Sequence, residues 1–301
     1  MKKDKKLSHA AHLKAAADPR QAAEAAELTY VCDQDAGITR KGSPGKFTYH
    51  LGNKKVTDKS QLDRIKKLVI PPAWKNVWIC KSPNGHIQAT GTDARGRKQY
   101  RYHAKWNSLR NETKFHRLYE FGKTLPRLRK RISKDISLKE LSREKVLATV
   151  INLMDKTYIR VGNNEYEKAN GSYGLTTLKD KHVKLTKGKI VFSFTGKKGI
   201  DHTIPLKDKK LAHIVKQCRD IPGKSLFQYY DPAGENKPID SGMVNNYIKE
   251  ATEDDFTAKD FRVWAGSLQA LEYFRSNLNL IGDIKDTKKN ILAMLDDVSK
   301  K

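Results

Sequence analysis

The spacing of apolar residues changes near Lys105, and no other feature of the chain constrains its fold as strongly. Upstream, apolar residues alternate in short runs. These are residues 46–51, a second short strand through Val56 after a Gly52-Asn53 turn, and then 77–80, 86–90 and 99–102, separated by Pro83-Asn84-Gly85 and Ala94-Arg95-Gly96. Period-two alternation punctuated by turn residues predicts strands, interrupted by a short helix over 60–68. Downstream the spacing becomes i, i+3/i+4, i+7, which predicts helices over 113–132, 142–156, 206–218, 241–251, 258–278 and 284–299. Ser142 is a fitting N-cap, and Thr257-x-x-Asp260 is a capping box. Inside the helical part, 183–185, 190–194 and 202–205 read as three short strands with turns at Lys187-Gly188 and 196–199. No repeat of 20–50 residues is visible.

At 301 residues the chain has room for two domains of ~150 residues each. The pattern predicts an α+β protein: an Ala- and charge-rich extension over 1–27, helical or partly frayed; a small, mostly β domain over 28–105; and a mainly α domain over 106–301 carrying the three-stranded insert.

Charge narrows the partner. Sixty Lys and Arg against 34 Asp and Glu leave +26, too large an excess for an ordinary enzyme of small molecules. It points to a polyanion, and nucleic acid is the default. Residues 1–110 carry +14 and the rest +12, so the first part is about twice as basic per residue. Cys32, Cys80 and Cys218 lie far apart without CxxC spacing, which argues against a disulfide framework and a structural zinc site. The most apolar run, 146–154, is broken by Thr149 and Asn152 and is too short to span a bilayer. The basic N-terminus lacks the apolar stretch of a secretory signal. A cytoplasmic, nucleoid-associated protein that does not enter the membrane is expected.

Four basic segments could carry chemistry. Residues 92–102 hold Arg95, Arg97 and Lys98 around a Gly turn, then Gln99, Tyr100 and Tyr102: cations for phosphates, and an amide and two rings for base edges. The alternative is a solvated basic hairpin. Arg160, among Ile159 and Val161 at a helix end, is either a buried ion-pair partner or an anion ligand. Lys197, flanked by Gly196 and Lys198-Gly199 at a hairpin tip, could approach a phosphate or simply be solvated. Arg262 lies in the first turns of a helix, where the positive dipole end also favours an anion. Asp260 stands where it could orient it, or the two form an ordinary capping pair.

The order of these segments resembles the type IB DNA topoisomerases in their bacterial and poxvirus-like form. The resemblance runs from about Ala36 to Ser299 and is carried by seven ordered blocks: AGITRKG, Pro-Pro-Ala-Trp at 71–74, NGHIQATGTDARGRKQYRYH, REKVLATVINLMDKTYIRVGNNEY, NGSYGLTTLKDKHV, FTGKKGIDH and FTAKDFRVWAGS. It implies a topoisomerase IB and tyrosine recombinase-like fold that clamps duplex DNA, acting as a monomer. It also implies supercoil relaxation through a 3′-phosphotyrosyl intermediate, with no cofactor, metal or ATP. Matched motif to motif, Arg160 and Arg262 become the phosphate clamps and Lys197 the general acid. The family's nucleophilic tyrosine and its His or Asn phosphate ligand have no match before Lys301. Tyr273 lies about 16 Å along the helix from Arg262, and Tyr158 and Tyr166 do not occupy the family's position. The expectation from sequence is therefore an isomerase whose 301-residue chain binds DNA without cleaving it unless a tyrosine-bearing tail is supplied; the alternative is a catalytically incomplete DNA-binding protein. A tyrosine recombinase shares the Arg-Lys-Arg-Tyr logic, but the 71–103 block argues against it.

Overall fold

The computed structural model describes residues 7–277 and 287–300 and has an α+β fold. By internal packing the chain divides into two units, Met1–Tyr119 and Glu120–Lys301.

The first unit begins with helices α1 (His9–Ala17) and α2 (Pro19–Ala25), capped by Ser8 and Asp18. They are packed rather than frayed: Ala15, Ala22, Ala23, Ala26 and Leu28 bury against Trp106 and Leu109 of α4 (Ala104–Ile136). Alanine allows that close approach, which is why a weakly amphipathic Ala-rich segment still docks. Six strands follow: β1 (Ile38–Lys41), β2 (Thr48–Leu51), β3 (Lys54–Lys55), β4 (Lys75–Ile79), β5 (Ile87–Thr92) and β6 (Lys98–Tyr102), with α3 (Lys59–Lys67) between β3 and β4. They form one antiparallel sheet in the order β3-β2-β1-β4-β5-β6. Ile65 of α3 covers Ile38, Val77, Ile79 and Ala89.

Two of the sequence blocks serve this sheet. Arg40 donates to the carbonyls of Pro71 at 3.2 Å and Trp74 at 2.6 Å, tying AGITRKG to the Pro-Pro-Ala-Trp run. A Cβ on Gly91 would lie 2.8 Å from the Trp74 ring, so that position admits only glycine without repacking.

The second unit is built around α5 (Arg143–Thr157), whose Val146, Val150, Ile151, Leu153 and Met154 are essentially inaccessible. Each such side chain contributes about 1.5–3 kcal/mol relative to exposure, so packing rather than helix propensity fixes α5. Around it stand α6 (Asn164–Asn170), the three-stranded antiparallel sheet β7 (Val183–Thr186), β8 (Lys189–Thr195) and β9 (Asp201–Lys207), α7 (Lys209–Arg219), the hairpin β10 (Gln228–Tyr230) and β11 (Asn236–Pro238), α8 (Ser241–Thr252), α9 (Ala258–Ser276) and α10 (Thr287–Lys300). The expected helix from 206 starts later, at Lys209, because Leu206 and Lys207 complete β9 and Asp208 caps α7. The expected helix ends at Leu278 and at 284–286 fall outside the described residues. Phe121 meets Phe256, Phe261 and Trp264 edge to face, which fixes α9 in this unit. Among the described residues no helix is long and apolar enough to cross a membrane.

Candidate active site

Arg160 is set by the way α5 ends. Tyr158 takes a left-handed conformation (φ 57°), its N–H donates to the Met154 carbonyl, and the chain leaves extended toward Asn163. That extended stretch is fastened to 174–176. Leu175 N–H donates to Arg160 O at 2.8 Å, and Thr176 donates to Val161 O from its N–H at 2.7 Å and its hydroxyl at 2.9 Å. The two backbones touch: a Cβ on Gly174 would stand 2.6 Å from Arg160 O and 2.6 Å from Gly162 Cα. The backbone of Arg160 is thus fixed while its side chain stays exposed.

Lys197 sits on the turn joining β8 to β9. Gly196 N–H donates to Ile200 O at 2.7 Å, and the Thr195 hydroxyl donates to Asp201 Oδ1 at 2.7 Å, closing the hairpin base. Lys198 (φ 66°) and Gly199 (φ 75°) make the reversal, leaving Lys197 exposed beside the buried Gly196.

Arg262 lies in the second turn of α9. The capping box read from sequence is formed: Thr257 N–H and hydroxyl both donate to Asp260 Oδ2, at 2.8 and 3.0 Å. Arg262 Nη1 donates to the Tyr158 carbonyl at 2.6 Å, binding the start of α9 to the end of α5. Burial, and then the neighbouring Arg160 guanidinium, hold Arg262 below the usual arginine range.

Arg160, Lys197 and Arg262 therefore come from three separate elements and line one cleft of about 820 Å³, together with Tyr158, Tyr173, His202, Gln269 and the small residues Ala265 and Gly266. Among the described residues no carboxylate pairs with any of the three cations. Two neighbouring guanidiniums that oppose each other, with no carboxylate paired to them among the described residues, have the chemistry to favour an anion. His202, Tyr173 and Gln269 were not singled out by sequence. The FTGKKGIDH block contained His202, but only strand pairing reveals that a residue five beyond Lys197 returns to the same cleft.

The second group of candidates lies in the first unit, at one edge of the six-stranded sheet. Tyr100 and Tyr102 share a face of β6 with their rings stacked, centroids 5.7 Å apart at 8°. Gln99 alternates to the other face, as strand period requires, and its amide donates to Asp93 Oδ2 at 2.9 Å. Asp93 also accepts from the Arg95 and Arg97 N–H groups and from the Arg97 guanidinium at 2.8 Å. Lys98 pairs with Asp33 at 2.6 Å. Arg97, Lys98 and Gln99 are thus each engaged with an internal carboxylate.

Residues 103–300 match the family described as the eukaryotic DNA topoisomerase I catalytic core, and residues 46–93 match the bacterial DNA topoisomerase IB N-terminal domain. DNA topoisomerase 1B of Acanthamoeba polyphaga mimivirus is 36% identical over 260 residues, covering 84% of this chain and 76% of the relative. DNA topoisomerase 1B of vaccinia virus (strain Copenhagen) and DNA topoisomerase I of monkeypox virus are each 27% identical over 205 residues, covering 67% of this chain and 61% of those relatives. The site-specific recombinase XerH, bound to its difH substrate, superposes with a TM-score of only 0.32 at 16% identity, over 52% of this chain and 43% of that one.

Proposed function

This chain belongs to the type IB DNA topoisomerase family, and we propose that it relaxes supercoiled duplex DNA by cutting and rejoining one strand. In the reaction a tyrosine Oη attacks the phosphorus and loses its proton to solvent. The bond from phosphorus to the 5′-oxygen breaks, and that oxygen takes a proton from Lys197. The 3′-phosphotyrosyl bond keeps the energy of the phosphodiester, so the 5′-hydroxyl can attack back without ATP once the duplex has swivelled. Arg160 and Arg262 bind the non-bridging oxygens as negative charge builds on them. Guanidinium suits this task because it never deprotonates and offers a planar fork of donors. Lysine suits the acid role because its proton is released when it is desolvated against the departing oxygen.

The observation that carries this reading is the convergence of Arg160, Lys197 and Arg262, unpaired with any described carboxylate, on one cleft. Arg95, Arg97, Lys98, Gln99, Tyr100 and Tyr102 serve as the DNA contacts of the first unit. One chain supplies all three cations, which supports action as a monomer, and a chromosomal substrate supports a place in the cytoplasm beside the nucleoid. The relatives bear the enzyme's name, which gives the binding-only alternative no support.

Plasmid relaxation tests the proposal. The protein supplied with a family-like, tyrosine-bearing C-terminal tail should relax negatively supercoiled plasmid in EDTA without ATP. Supercoiled plasmid that persists across the salt range in which the protein binds DNA would overturn it.

A further inference from the structure

Alternation along β9 puts His202 on the same side as Ile204 and Leu206, half-buried. Across the ladder it pairs with Phe194, the two rings 5.3 Å apart at 32°. On its other flank is Gly196, the residue immediately before Lys197. A Cβ built on Gly196 would stand 2.6 Å from both Cδ2 and Nε2 of the imidazole. The ring edge therefore fills the volume that a side chain at position 196 would need. The same ring lines the cleft with Arg160, Lys197 and Arg262. The adjacent Asp201 carboxylate is engaged with the Thr195 hydroxyl. Among the described residues no hydrogen bond holds the imidazole, so packing against Phe194 and Gly196 holds it.

We propose that His202 is a positioning residue for Lys197, its imidazole forming the seat on which Gly196 rests, so that the hairpin delivers the lysine to the departing 5′-oxygen. The inference rests on the reading of Lys197 as the general acid. Burial, then Arg160 and Arg262, hold the ring below the ordinary imidazole value, against the pull of Asp201. The seat is accordingly a neutral flat surface rather than another cation beside two guanidiniums. Without the ring, Gly196 regains the freedom of a residue with no Cβ, and the lysine samples positions away from the leaving group.

Single-turnover cleavage by the protein supplied with a tyrosine-bearing C-terminal tail tests this on two duplexes, one with the ordinary 5′-oxygen and one with a 5′-bridging sulfur, which leaves without needing a proton. His202→Ala should cleave the oxygen substrate ~10- to 10²-fold more slowly, as expected when a general acid is displaced but not removed. Its DNA affinity should stay at the wild-type value, and its rate on the sulfur substrate should match wild type. Gly196→Ala should also be slow on the oxygen substrate, and adding His202→Ala to it should cost nothing more, since the new Cβ then has room. Equal losses by His202→Ala on both substrates, or wild-type cleavage of the oxygen substrate, would overturn the proposal. Lys197→Ala, run alongside, separates the two failures. If sulfur does not rescue Lys197→Ala, the assignment of the acid falls and this one with it. If sulfur rescues Lys197→Ala but not His202→Ala, only the role of His202 falls.

Discussion

Arg160 and Arg262 are held close enough to oppose each other's charge, by backbone bonds to 174–176 in one case and a bond to the Tyr158 carbonyl in the other. Histidines extend the same theme of proton exclusion. His12, His86, His103, His182 and His202 are all held below the ordinary imidazole value of 6.5, with burial the leading cause in each. Above pH 6.5 neither the folded nor the unfolded chain protonates these groups appreciably, and their full contribution to stability is present. As pH falls below 6.5 the unfolded chain binds protons that the folded one refuses, and stability is lost. Asp33 and Asp93, held below 3.8 chiefly by Lys98 and Arg97, lose their contribution only at lower pH and do not enter this window. Melting followed by circular dichroism should therefore show the transition temperature falling between about pH 7 and about pH 5, well before carboxylates titrate. A flat profile across that interval would contradict the assignment of these imidazoles as neutral.

Elements were legible in sequence wherever a local rule determined them. The β7–β9 insert, the capping box at Thr257 and the N-cap at Ser142 each depend on residues within a few positions of one another, and each is formed. Helix α6 and the hairpin β10–β11 were not foreseen. The first is seven residues long and buries none of them, and each strand of the second has only three residues, too few for a period to register. Strand β1 lay in a block quoted for its resemblance, while its structural role depends on Arg40 reaching carbonyls some thirty residues away. The three cations could be named from motif order. Their meeting in one cleft depends on non-local contacts: 160–161 against 174–176, Arg262 against Tyr158, and the return of β9 beside β8. Gln99 faces away from Tyr100 and Tyr102 by ordinary strand alternation, but its partner there, Asp93, could not be named from the period alone.

At the scale of the whole molecule the +26 charge governs association. If DNA is held by displacing counterions, affinity should fall steeply with salt: a protein making about six to ten phosphate contacts loses roughly 10³–10⁵ in affinity between about 50 and about 200 mM. Filter binding or anisotropy with a short duplex measures the slope, and a value near zero would remove the polyanion as partner. Binding, however, is shared by many basic proteins, whereas the proposed chemistry needs three side chains acting on one phosphate. The most direct measurement is single-turnover cleavage of a duplex under saturating protein, each form supplied with a tyrosine-bearing C-terminal tail, by the parent sequence, Arg160→Ala, Lys197→Ala and Arg262→Ala. Each variant should bind the duplex yet cleave ~10²-fold or more slowly, as when one preorganised donor to the transition state is lost. Cleavage at the wild-type rate by any of the three would contradict it.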